Sequence, residues 1–178
     1  MPATSKTELS VQQNAHAGAQ RILIAGIGYR NLRDLSVGPF IVDRLKKREW
    51  PAGIEVTDLS YGPVGVMHNL DERPPYDRMV FVAGVKRNRD PGGVYRYRWS
   101  HKLPEAEEIQ ARMGEAVTGV ISLDNLLILA TYFKKLPEDV IVIELEPVDE
   151  NWGEGFTEKV EKAIPEIIAQ ITNEVNGS

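Results

Sequence analysis

Apolar residues in this chain fall into short continuous runs, separated by longer stretches of helical periodicity. Residues 21–27 are apolar throughout after Arg21 and are bounded by glycines, which predicts a buried strand. Val37, Phe40, Ile41 and Leu45 recur at helical spacing and predict an amphipathic helix over 37–49, ended by Pro51 and Gly53. Residues 54–59 read as a second strand. Gly62-Pro63-Val64-Gly65 turns into a brief helix near 65–72, broken by Arg73-Pro74-Pro75. The run 78–84 predicts a third, strongly apolar strand. After the turn at Asp90-Pro91-Gly92-Gly93, residues 94–99 alternate apolar and basic side chains, as an edge strand does. An acidic helix over 104–116 and a leucine-rich helix over 122–135 follow. The strand 139–145 ends at Pro147, and a last helix spans 155–175. Pro165 lies inside that helix and is expected to kink or break it. Strands alternating with helices imply a three-layer α/β/α fold with a mostly parallel five-stranded sheet, in which 94–99 is the antiparallel edge.

Composition narrows the function. The 178 residues suit one domain over 20–176, with 1–19 as a flexible polar tail. A net charge of -5 argues against a nucleic-acid binder. With no cysteine, disulfides, thiolate metal sites and cysteine nucleophiles are excluded. No apolar run has the length of a membrane span, and no signal-peptide core opens the chain, so the expectation is a cytoplasmic protein without membrane attachment.

Gly26-Ile27-Gly28 has the form of a dinucleotide fingerprint, but Asn31 stands where its third glycine belongs and the helix begins late. The alternative is a tight strand-to-loop turn. Continued through Asp34-Leu35-Ser36-Val37-Gly38, the segment resembles the nickel-iron hydrogenase maturation endopeptidase family, whose pattern is roughly G-x-G-N-x-L-x-x-D-[DE]-G-x-G. Gly26, Gly28, Asp34 and Gly38 fall in register, while Tyr29 replaces the pattern's Asn. The resemblance extends over about residues 21–172. Asp58 to Gly65 is similar to the family's D-x-G-T-x-G turn, and Asp90 to Tyr95 to its P-G-x-V-Y step. Ser122-Leu123-Asp124 resembles its S-x-H. Leu136-Pro137-Glu138-Asp139-Val140 and Glu144-Leu145-Glu146-Pro147 resemble its L-P-x-x-V strand and G-I-E-P ending. Trp152 and the last helix also match.

The resemblance implies a metal-dependent endopeptidase that removes a C-terminal extension from the hydrogenase large subunit. It also implies where the metal ligands belong: Leu35, Ala83 and Asp124 occupy those positions here. Leucine and alanine offer a cation no lone pair, so no metal and no cofactor are expected. Asp34, Asp58, His68, His101 and Asp124 are the pieces from which a site would have to be rebuilt. The expectation is a non-catalytic homologue that binds a hydrogenase large subunit or an assembly factor. An active, divergent endopeptidase is the second reading, and a nucleotide- or anion-binding enzyme the third. A parallel sheet would gather Arg30 and Arg33 with Lys86, Arg87 and Arg89 at one crevice, beside Asp34, as a candidate binding site for carboxylates. The alternative is a solvated charge run balanced by the acidic helix.

Overall fold

The computed structural model describes residues 18–177, so the expected tail lies almost wholly outside the described residues. Five strands form one sheet: β1 (Ile22–Ile27), β2 (Ile54–Asp58), β3 (Arg78–Gly84), β4 (Val94–Arg98) and β5 (Asp139–Leu145). Their order is β2-β1-β3-β5-β4. β1 pairs in parallel with β2 and β3, and β3 with β5; β4 alone runs antiparallel, along β5. This is the α/β architecture the apolar runs imply, with the expected strand at the edge.

Helices cover both faces. α1 (Val37–Leu45) and α5 (Glu158–Asn176) pack on one. α2 (Pro63–Asp71), α3 (Ala106–Ala116) and α4 (Leu123–Tyr132) pack on the other. Alternate strand residues divide between the layers. Ile22, Ile24, Val80, Val82, Ile141 and Ile143 face α1 and α5, while Leu23, Ala25, Met79, Phe81, Val140 and Val142 face the three helices opposite. A central strand buried on both faces has no polar side to show, hence the continuous apolar runs. Full burial of a side chain such as Phe81 contributes about 1.5–3 kcal/mol. No helix among the described residues is long and apolar enough to cross a membrane.

The differences from expectation lie at helix ends. α1 stops at Leu45 instead of 49, because Lys46 to Glu49 are exposed and the Trp50 indole N–H donates to the Leu45 carbonyl at 2.9 Å. α2 begins earlier, with Pro63 in its first turn, where a missing N–H costs nothing. α5 is neither broken at Pro165 nor begun at 155. Pro165 is exposed, so the Glu161 carbonyl that lacks a helical partner faces water.

The glycines of the first loop answer to packing. A Cβ on Gly26 would overlap the Gly38 carbonyl, and a Cβ on Gly38 the Ile27 backbone. One on Gly28 would meet the Leu35 carbonyl oxygen. The spacing lets α1 lie directly against β1, which is the tight-turn reading of Gly26 and Gly28.

Candidate functional site

β2 flanks one side of β1 and β3 the other, so the direction of winding reverses between β1 and β3. Doubly wound sheets bind ligands beyond the carboxyl ends of the strands at such a reversal. A cleft of about 180 Å³ lies there, lined by Tyr29 and Leu35 from the first loop, Ala83 and Lys86 from the end of β3, and Ile121 and Asp124 from the start of α4. Tyr29 closes one wall: its hydroxyl donates to the Ile121 carbonyl at 3.0 Å and accepts the Ile121 N–H at 3.2 Å. The Ser122 hydroxyl accepts the Asn125 N–H, caps α4 and places Asp124 in its first turn. The three positions that the resemblance assigns to metal ligands, Leu35, Ala83 and Asp124, thus meet in one cleft.

Two cations stand at that cleft: Lys86 lines it, and Arg87 holds Asp124 in its wall. The Arg87 guanidinium grips Asp124 through both oxygens, at 2.8 and 2.6 Å, and reaches Glu144 at 2.8 Å. Arg89 binds the other Glu144 oxygen at 2.7 Å while stacking over the Tyr95 ring, 3.9 Å from its centre. The Tyr97 hydroxyl also donates to Glu144 at 2.8 Å. Burial and the neighbouring Glu144 charge push the Tyr97 hydroxyl well above the usual tyrosine range, so it stays a donor. Topology explains the cluster. The connection from β3 to β4 must arch over the end of β5, because β5 lies between them. Glu146, almost fully buried at that end, accepts the backbone N–H of Arg87 at 3.0 and 2.9 Å, that of Asn88 at 3.0 Å, and Arg89 Nε at 3.3 Å. Burial raises the Glu146 carboxyl, but these hydrogen bonds outweigh it and hold the group below its ordinary value.

The sequence brings Arg30, Arg33, Lys86, Arg87 and Arg89 to one end of the sheet, but they do not form a rim of free cations. Arg30 bridges Asp43 and Asp58 at 2.8 Å each. Arg33 donates to the Glu154 carbonyl at 2.9 Å and lies 3.9 Å from Asp149. Lys86 pairs with Glu150, and Arg87 and Arg89 are held as described. The acidic helix α3 supplies none of these partners. The counter-charges come instead from Asp43 on α1, Asp124 on α4, and strand ends and loops, Glu144 and Glu146 above all. In the sequence those two belong to a strand ending, with no role attached to them. The available signal was two acids interrupting an otherwise apolar strand, which burial alone would not tolerate without cations.

Asp34 belongs elsewhere. It is fully buried, and its carboxylate accepts the N–H groups of Val148, Asp149 and Thr157 and the Thr157 hydroxyl, each at 2.9 Å. It ties the first loop to the segment between β5 and α5, beside a Leu32–Gly153 bridge. Asp34 therefore offers no face to a ligand.

The residues present do not fit a metal ion. Leu35 and Ala83 carry no donor atom into the cleft, and both Asp124 oxygens already bind Arg87. The other candidate pieces do not join Asp124. Asp58 pairs with Arg30, His68 with Glu72 along α2, and His101 lies against the Glu138 carbonyl. Among the described residues, no three His, Asp or Glu side chains converge as a metal-binding group. A larger groove of about 600 Å³, unforeseen in the sequence, runs between α1 and α5.

No protein-family model and no curated protein sequence matches the chain. Solved structures do. The hydrogenase maturating endopeptidase HybD from E. coli is 22% identical, with 89% of this chain and 93% of that chain covered and a TM-score of 0.67. The [NiFe] hydrogenase maturation protease HycI from Thermococcus kodakarensis is 21% identical, with 93% and 99% covered and a TM-score of 0.66. This chain has the hydrogenase maturation endopeptidase fold. The hydrogenase 2 maturation peptidase from Thaumarchaeota archaeon SCGC_AB-539-E09 aligns similarly, at 22% identity, 88% and 98% coverage and a TM-score of 0.62. The likeness thus covers most of the chain.

Proposed function

We propose that this chain is a hydrogenase-maturation-protease-like protein that binds a protein partner in nickel-iron hydrogenase assembly and does not cut it. One observation carries the reading. At the switch-point cleft, Leu35 and Ala83 carry no ligand atom, and the Arg87 guanidinium occupies both oxygens of Asp124. The surroundings favour a protein partner. Next to the cleft, Tyr61, Val64, Val117 and Val120 are exposed along a shallow apolar surface between α2 and the end of α3, and patches of this kind mark docking sites. The partner is a hydrogenase large subunit or an assembly factor.

Three measurements test this together. Protein purified without a histidine tag should carry well under one nickel, zinc or cadmium per chain, and Asp124→Ala should leave that content unchanged. Incubated with a large-subunit precursor, it should leave the C-terminal extension in place. A pull-down from the native host should return a hydrogenase subunit or assembly factor. Removal of the extension by purified protein would replace this reading with that of a divergent endopeptidase.

A further inference from the structure

The groove between α1 and α5 lies on the opposite side of the sheet from the apolar surface beside the cleft. Phe40 and Phe156 meet edge to face across it, with centres 4.8 Å apart, and Pro39, Ile164 and Pro165 extend its apolar lining. Two residues before Glu154, which lines the groove, stands Trp152, which is 77% exposed. The loop bearing Trp152 is held in place: Gly153 donates to the Asn31 carbonyl at 2.9 Å, and Asp34 binds the loop's two ends. A tryptophan kept in water on an ordered loop loses little entropy when a partner covers it, and Trp is enriched among residues that dominate binding energy.

The charges select the partner. Of the acids lining the groove, Asp43 is occupied by Arg30, and that contact holds its carboxyl below the usual range. Glu154 and Glu161 also line it, and among the described residues neither carboxylate has an ion-pair partner. Of the cations, Arg30 is neutralised twice over, while Arg44, 5.1 Å above the centre of the Phe40 ring, keeps its charge, which leaves two open acids against one open cation. Two open carboxylates beside aromatic and aliphatic surface suit a segment that carries Lys or Arg among apolar residues. The loop that supplies Glu154 also carries the exposed indole of Trp152, whose face attracts the same cations. A second copy of this acidic chain is a poorer match.

We infer that the groove between α1 and α5, beside the loop that carries Trp152, is a docking surface for a basic amphipathic segment of a partner protein. This surface is independent of the cleft, so it stands or falls separately from the absence of cleavage. The test uses the full chain and a panel of synthetic peptides in which Lys alternates with Leu at helical and at strand spacing, each with a Glu-for-Lys counterpart. Binding is followed by tryptophan fluorescence and by calorimetry. At least one basic peptide should bind and change the fluorescence, its acidic counterpart should not, and Trp152→Phe should abolish the optical signal. Glu154→Lys with Glu161→Lys should weaken binding at least about tenfold. The matched reversal of two exposed acids elsewhere, Glu49→Lys with Glu138→Lys, should leave it nearly unchanged. Equal binding of acidic and basic peptides, an equal loss in the control reversal, or no binding by any basic peptide would overturn the assignment.

Discussion

Asp34 shows how a residue can be conspicuous in sequence while its role is hidden. Its place after a glycine loop made it a candidate binding group, but its partners lie 114 to 123 residues further along the chain. No local pattern reveals such a bond. The structure shows a buried carboxylate meeting four donors, and each donor becomes unsatisfied if the acceptor is removed. Asp34→Asn turns one acceptor into a donor facing donors. It should lower unfolding free energy by about 2–4 kcal/mol in urea titrations and speed proteolysis within residues 148–156. Asp43→Asn, which breaks a largely exposed pair, should cost less than about 1 kcal/mol. Equal costs would mean that the buried bonds add nothing.

At the scale of elements, strands were easier to read than helix ends. A strand buried on both faces writes its boundaries as a change from apolar to polar, and β3 and β5 begin and end where the runs do. Helix ends depend on side chains outside the helix, such as the nearby Trp50 indole at the end of α1 or Asp34, far off in sequence, ahead of α5. Pro165 misled for a related reason: propensity says break, but the apolar stripe of α5, Val160 to Val175, is buried against the sheet and holds the helix together. If packing overrides a local cost, removing that cost should stabilise the protein. Interior proline costs about 3 kcal/mol relative to alanine, and the stiffer unfolded chain returns about 1 kcal/mol of that. Pro165→Ala should therefore gain about 1–2 kcal/mol. Gly114→Ala, on α3 with open space around it, should gain about 1 kcal/mol. Thermal unfolding of both variants checks the ranking, and a loss in either would place the residue in a conformation alanine cannot share.

For the whole molecule, the sequence showed that cations from the first and third loops would gather at one end of the sheet. It did not show that they would arrive already paired. Glu144 and Glu146 lie more than 50 residues from Arg87 and Arg89, and only strand order β3-β5-β4 puts them under the arching loop. The cleft was legible as three positions because each ends or follows a recognisable element. Its electrostatics were not. The pairing has a consequence for acid stability. Glu146 is held below its ordinary carboxyl value of 4.5 in the folded protein. The unfolded chain therefore binds a proton at a higher pH than the folded one does. The stabilisation is complete above about pH 4.5 and is lost as pH falls through the lower folded value. Urea midpoints should change little on account of this group between pH 7 and 5, then fall. Glu146→Gln should be less stable than wild type at pH 7, because an amide presents a donor to the N–H groups of Arg87 and Asn88. It should also lose stability less steeply below pH 4.5. If both proteins lose stability with the same slope, the acid sensitivity resides in other carboxylates. Should the slopes differ, protonating Glu146 releases the loop that carries Arg87, and the grip on Asp124 at the cleft loosens with it.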